Sequence, residues 1–379
     1  MSYDLQVWTV NDVSFSDALP DSAAWNTANK SWSYKRRTWQ VLVGQSVRAL
    51  PEDLPHDASR TLPGIGFLTE LSLSPIDSSQ SARKFLLRTA TAIAKAARGV
   101  IFDPQANTLT LPSGIQRFVK RSADENATVI VLSWWFTEGP AALESRYDLL
   151  LDALEAELPE ALPRRYGSFE PPQHVYADTG RDHFLGFLSE HLGQIAVWYP
   201  TAPVASVHLG VPDIIGPSKR GFRSAYFTIN VDIEALDQSG WQIALKRLWR
   251  RISHTIQPFY GDVRTLRGYR RERGRYWLTR TTAQHPVRAW WWCGLPPGPA
   301  QAIVLGPPYC ALWPAFKNDA VVEAELAYVD TGDWRVSGNV LDIVGPAPVA
   351  LNQIGGRHED PAIPREYPAQ WPFSLPLTS

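Results

Sequence analysis

Cysteine is scarce in this chain of 379 residues: Cys293 and Cys310 are the only two. Two thiols in a chain of this size build no disulfide framework, and a chain this long buries enough core to need none. Methionine is scarcer still, one residue at the start. No run of about 18 apolar residues occurs, so no membrane-spanning helix is expected. The first residues, Met1-Ser2-Tyr3-Asp4-Leu5-Gln6, lack the basic and apolar regions of a secretory signal. Together these absences place the chain in a reducing cytoplasm as an expectation. Net charge is −1, which gives no global pull toward nucleic acid or membrane.

Catalytic signatures are missing as well. There is no G-x-x-x-x-G-K-[ST] loop to cradle phosphate, no G-x-G-x-x-G after a strand, no G-x-S-x-G elbow and no H-E-x-x-H. Cys293 follows Trp290-Trp291-Trp292, and Cys310 lies between Tyr309 and Ala311. Both read as small buried hydrophobes, since a nucleophilic thiol needs a base beside it and a lowered pKa. Neither an enzyme nor a cofactor is expected. His174, Asp178, Asp182, His183 and His191 form the densest set of ligand-type residues, and Asp178, Asp182 and His183 could hold a divalent cation if they shared one helix face. Their spacing matches no recognised metal signature, and capping or surface roles are the expectation. His358-Glu359-Asp360 reads as a polar loop.

What is abundant is tryptophan, 16 residues, and arginine, 29 of the 37 basic residues. Hydrophobic residues make up 44%, as in globular proteins. Three stretches, 68–111, 129–169 and 225–266, repeat one pattern: an apolar strand, a turn, an amphipathic helix, a Gly or Pro break and a second strand. Residues 81–98 keep helical apolar spacing at Phe85, Leu86, Ala90, Ile93 and Ala97, with Gly99 placed to close the helix. Residues 128–136 (TVIVLSWWF) form a nearly continuous apolar run, the mark of a central strand. The helix at 141–158 buries Tyr147, Leu150, Leu151, Leu154 and Leu158. The helix at 241–256 buries Leu245, Leu248, Trp249, Ile252 and Ile256. The expected fold is α+β: two ferredoxin-like (split βαβ) halves with antiparallel or mixed sheets and helices on one face. The expected domains are 1–170 and 171–345, with a proline-rich tail, 346–379, docked on the body.

Charge is unevenly distributed. Residues 138–160 hold seven acids and one Arg, and residues 241–288 hold twelve bases and two acids. On the first helix Glu144, Asp148, Asp152, Glu155 and Glu157 present negative charge to one side. Further on, Arg264, Arg267, Arg270, Arg271, Arg273 and Arg275 interleave with Tyr260, Tyr269 and Tyr276. Trp291 must face opposite to Trp290 and Trp292 in a strand, so at least one of the three is expected to reach a surface or an interface. Exposed charge and aromatic anchors of this kind suit a partner protein. The expected contacts are Glu144, Asp148, Asp152, Glu155, Tyr260, Arg267, Tyr269, Arg270, Arg271 and Trp291. Arg with interleaved aromatics also suits single-stranded nucleic acid. Nucleic acid is an unlikely partner on the global charge.

Leu62-Pro63-Gly64-Ile65-Gly66-Phe67-Leu68-Thr69-Glu70-Leu71, Gly99-Val100-Ile101-Phe102-Asp103-Pro104-Gln105, Ser133-Trp134-Trp135-Phe136 and Leu162-Pro163-Arg164-Arg165-Tyr166-Gly167 look like segments of bacterial cytoplasmic proteins. The middle of the chain is similar in outline to immunity proteins of contact-delivered toxins, the type VI secretion class in particular. The resemblance spans about half the chain. It implies a cytoplasmic antitoxin-like protein that neutralises a cognate toxin by stoichiometric binding. The alternatives are a metal-dependent hydrolase using Asp178, Asp182 and His183, and a nucleic-acid-binding defence protein using Arg270 and Arg271.

Overall fold

A computed structural model describes residues 2–348 except 21–23, 29–30, 51–52, 55–57, 77, 107, 112, 119–124, 169–171, 192–194, 219–220, 239, 273–274, 279–290, 293–294, 296–297 and 337. The proline-rich tail beyond residue 348, Cys293 and the trio His358, Glu359 and Asp360 lie outside the described residues. The protein is α+β, with two large antiparallel sheets and several helices. It divides into two compact units, 1–124 and 125–379.

In the first unit the strand order is β2 (Asn26–Ala28), β3 (Ser31–Lys35), β4 (Gln40–Val43), β6 (Phe67–Ser74), β1 (Tyr3–Thr9), β7 (Gly99–Asp103), β8 (Thr108–Thr110) and β9 (Gln116–Phe118). β5 (Val47–Arg48) also pairs with β6. Two short helices, α1 (Phe15–Ala18) and α2 (Ala58–Thr61), accompany a long one, α3 (Gln80–Ala96). The Ser79 side chain accepts from the Ala82 N–H and starts α3. Ala82, Leu86, Ala90, Ile93 and Ala94 recur at helical spacing and bury against Leu5, Val7, Leu71 and Leu73 of the sheet. β6 and β7 run parallel on either side of β1, and α3 connects them. The left-handed residue after α3 is Arg98 (φ 54°), not Gly99. Gly99 is needed for close approach instead: a Cβ there would stand 2.5 Å from the Trp8 carbonyl oxygen.

In the second unit the order is β12 (His174–Val175), β11 (Arg165–Gly167), β13 (Ile195–Tyr199), β14 (Val204–Gly210), β17 (Ala225–Asp232), β10 (Glu125–Phe136), β18 (Tyr260–Glu272), β21 (Ala302–Leu305), β23 (Leu326–Asp330) and β22 (Val321–Glu323). β19 (Arg275–Leu278) pairs with β18. A small separate sheet joins β15 (Gly216–Ser218), β16 (Gly221–Arg223) and β20 (Trp291–Trp292). The helices are α4 (Pro140–Glu157), α5 (Tyr176–Glu190), α6 (Trp241–Ile256), α7 (Pro307–Leu312) and α8 (Leu341–Val344).

β10 lies between β17 and β18, antiparallel to both, and α6 links those two. β14 runs parallel to β10 across β17 and follows α4 in the chain. The second and third repeats therefore share one sheet. The expected boundary after residue 170 falls inside this unit, because Val129–Phe136 pairs residue by residue with Ala225–Asp232.

Alternation sorts β10 between the two faces. Ile130, Leu132, Trp134 and Phe136 pack against α4, α5 and α6. Trp135 points the other way, into a cluster with Tyr260, Trp292, Tyr309, Trp313 and Phe316. The second face is thus covered too, in part by α7, whereas helices on one face only were expected. Cys310 is buried there with its thiol pushed up by burial, as the sequence suggested. Residues 321–328 form a hairpin whose turn holds two left-handed residues, Ala324 and Glu325. No helix among the described residues is long and apolar enough to cross a membrane.

Burial pushes the Tyr269 and Tyr328 phenols up to about 12. Unfolded tyrosine titrates near pH 10. The folded values are raised, so this contribution is fully present below about pH 10 and is lost as pH climbs toward 12. Absorbance at the tyrosinate band should therefore stay below the level for all 13 tyrosines until alkaline unfolding. Complete ionisation near pH 10 in protein that still shows native circular dichroism would contradict this.

Candidate protein-binding surface

α4 has no side-chain N-cap; Pro140 follows Gly139 and occupies the first turn, where a missing N–H costs nothing. Tyr147, Leu150, Leu151, Leu154 and Leu158 face the sheet. The same spacing turns Ser145, Asp148, Leu149, Glu155 and Ala156 outward, with Asp152 half-buried. Leu149 is 54% exposed in the middle of this ridge.

One guanidinium serves three of the carboxylates. Arg181 of α5 donates from Nη2 to Asp148 Oδ1 at 3.1 Å and Asp152 Oδ1 at 2.8 Å, and from Nη1 to Glu155 Oε2 at 3.4 Å. Burial pulls the Arg181 pKa down, but Asp152 and Asp148 outweigh it and hold the group above its ordinary value. One positive charge against three leaves the ridge acidic. The Asp148 and Glu155 side chains are 65% and 66% exposed, so these pairs add little to stability.

The other flank of α4 meets α6. Arg247 Nε donates to Glu157 Oε2 at 2.7 Å, and Arg251 approaches the same carboxylate at 4.0 Å. α6 turns Ile243, Arg247, Arg251 and His254 outward. The helical layer thus carries an acidic ridge with an exposed leucine beside a basic ridge with an exposed isoleucine. Arg181 and the outward face of α6 were not among the contacts expected from sequence. Their signal was present, because Arg181 stands one residue past a helix-breaking glycine and α6 carries four of the twelve bases of its region.

The structure treats the other expected contacts differently. Tyr260 is fully buried, its ring 5.6 Å from Trp135 and 4.8 Å from Trp292. Its hydroxyl donates to Asp262 at 3.0 Å. Tyr269 is buried against Val129, Val131 and Leu266, and its hydroxyl accepts from Asn230 Nδ2 at 3.2 Å. Neither is a surface contact, because β18 is a strand whose alternate residues turn inward.

Arg264, also on that side, is buried and bonds Asp262 and the Gly298 carbonyl. Arg271 Nη1 donates to Asp232 at 3.0 Å and Glu234 at 2.9 Å. Arg270 is half-buried and has partners of its own. Arg267 is exposed. The side chains of Glu144 and Trp291 lie outside what is described.

Asp178, Asp182 and His183 are not gathered. Gly180 (φ 78°, ψ 178°) kinks α5 between the two aspartates, which removes the one-turn alignment that a shared ion requires. His183 Nδ1 is 2.6 Å from the Tyr166 hydroxyl, which also lies 2.8 Å from Thr179 Oγ1. His174 stacks on the Tyr166 ring at 5.1 Å. Among the described residues no three His, Cys, Asp or Glu side chains are placed to hold one metal ion.

No protein-family model matches this chain, and no curated protein matches it. Among solved structures, a Pseudomonas aeruginosa T6SS protein matches at 10% identity and a TM-score of 0.34, over 62% of this chain and 80% of that one. A likeness at that score carries no argument about fold or function.

Proposed function

We propose that this chain is a cytoplasmic, antitoxin-like immunity protein of the type VI secretion class. It neutralises a cognate toxin by stoichiometric binding, with no bond made or broken. The observation that carries the reading is Leu149, exposed amid Asp148, Asp152 and Glu155 on a helix whose other side is anchored in the core. An apolar anchor ringed by charge is the composition of a protein interface, where the anchor supplies affinity and the charges steer and select. The acidic ridge suits a toxin with a basic groove. The same reading takes β10, α4, β14, β17, α6 and β18 as a ferredoxin-like core, with strand order β14-β17-β10-β18 and its helices supporting the ridge.

The test begins with the product of the adjacent open reading frame. Calorimetric titration should give one-to-one binding in the nanomolar range, on the order of −12 kcal/mol. Combining Asp148→Lys, Leu149→Asp and Asp152→Lys is expected to weaken it at least about 100-fold, on the order of 3 kcal/mol. The urea midpoint of the free protein should move little, since all three side chains are largely outside the core. Full neutralisation of that toxin by the triple variant would sink the assignment of this ridge. An adjacent gene product that is neither toxic nor bound would sink the immunity reading.

A further inference from the structure

The first unit carries a second charged surface that the total charge conceals. Residues 31–50 and 78–102 contain nine basic residues and no acid. The fold brings parts of both stretches together. The β3–β4 turn exposes Lys35, Arg36 and Arg37, closed by the Arg36 N–H donating to the Trp39 carbonyl at 2.9 Å. Trp39, at the end of that turn, lies 5.4 Å from Phe85 of α3. Tyr34 bridges them, 5.8 Å from Trp39 and 4.5 Å from Phe85. Lys84 and Arg88 are exposed one turn apart on α3, on the flank where Phe85 projects. The Arg36 guanidinium sits 5.2 Å from the Tyr34 ring centre. None of Lys35, Arg36, Arg37 and Lys84 is paired with a carboxylate among the described residues.

We propose that this surface binds single-stranded nucleic acid. Phosphates would run along Lys35, Arg36, Arg37, Lys84 and Arg88, and bases would stack at the partly buried rings of Trp39 and Phe85. Cations alternating with aromatic rings are what a strand without sequence preference requires: charge for the backbone and a flat apolar edge for the bases. An acidic protein is the competing occupant, and the polyglutamate competition below tells the two apart. The surface belongs to the first unit and is independent of the α4 ridge.

The experiment is fluorescence anisotropy of a labelled oligothymidylate of about 20 nucleotides with the full-length protein. Micromolar binding is expected at about 50 mM salt. With about four phosphates neutralised the logarithmic salt slope should be about −3, so affinity falls roughly 50-fold between 50 and 200 mM. Combined reversal of Lys35→Glu, Arg36→Glu and Arg37→Glu changes only exposed side chains. It should weaken binding at least about 10-fold and flatten that slope. Trp39→Ala should weaken binding about 5-fold or more and leave the slope unchanged. Three outcomes would overturn the proposal: no binding at low salt, binding indifferent to the triple reversal, or competition by polyglutamate as effective as by unlabelled oligonucleotide. The last would mark the surface as one for acidic proteins.

Discussion

Arg264→Ala is expected to lower the unfolding free energy of the second unit by about 3–5 kcal/mol, because it strands a buried carboxylate. Asp262 and Arg264 point to the same face of β18 and are 1% and 5% exposed. The arginine bonds Asp262 through Nε, and its Nη1 donates to the Gly298 carbonyl at 2.8 Å. Burial alone would lower the arginine pKa, but the neighbouring Asp262 and Tyr260 hold it above its usual range. Removing the guanidinium leaves the carboxylate with only the Tyr260 hydroxyl from this group. Combining Asp262→Leu with Arg264→Met should cost clearly less than the single change, since no charge is then left behind. Urea unfolding followed by tryptophan fluorescence checks both. A single variant as mild as a surface change, within about 0.5 kcal/mol of wild type, would show that the pair is not held as described.

Trp134→Ala should be nearly as damaging, by about 3–5 kcal/mol, the usual range for deleting a large aromatic from a core. Trp134 is completely buried on β10. Its ring lies 4.7 Å from Trp249 and 5.6 Å from Phe227, which ties the central strand to α6 and β17 at one point. The indole N–H donates to Ser253 Oγ at 2.9 Å. Trp134→Phe keeps an aromatic ring but loses that bond, so about 1–3 kcal/mol is expected. Thermal and urea unfolding of the two variants should rank in that order. A loss under about 1 kcal/mol for the alanine variant would mean that the core refills the space.

The long helices were legible because their apolar residues recur at the helical period. α3, α4 and α6 each bury the side that spacing marks, and β10 and β17 appear where the apolar runs stand. Strand partners were not legible, because the pattern that makes a strand does not name its neighbour. Residues 129–169 were therefore grouped with the repeat before them, whereas β10 pairs with the repeat after them.

The acidic ridge could be read directly, since an amphipathic helix has one free side. The Arg/Tyr segment misled for a related reason. Its interleaved arginines and tyrosines suggested an exposed partner-binding surface, yet strand alternation sends Tyr260, Arg264 and Tyr269 inward to Asp262 and Asn230. The basic surface on the first unit went unseen because Arg37 and Lys84 are far apart in sequence and are joined by the packing of Tyr34 and Trp39 on Phe85. Two long acid-free windows were its one available trace.

The position of β10 also dictates when this chain becomes safe during its synthesis. Its run from Thr128 to Phe136 leaves the ribosome early, yet both strands that flank it, β17 and β18, are translated much later. Until Tyr260 has emerged, three large aromatic side chains in that run have no finished sheet to close over them, and an unpaired apolar strand is an invitation to aggregate. The nascent chain therefore carries an uncovered apolar strand over this interval, and slowing translation before residue 260 should lower the soluble yield.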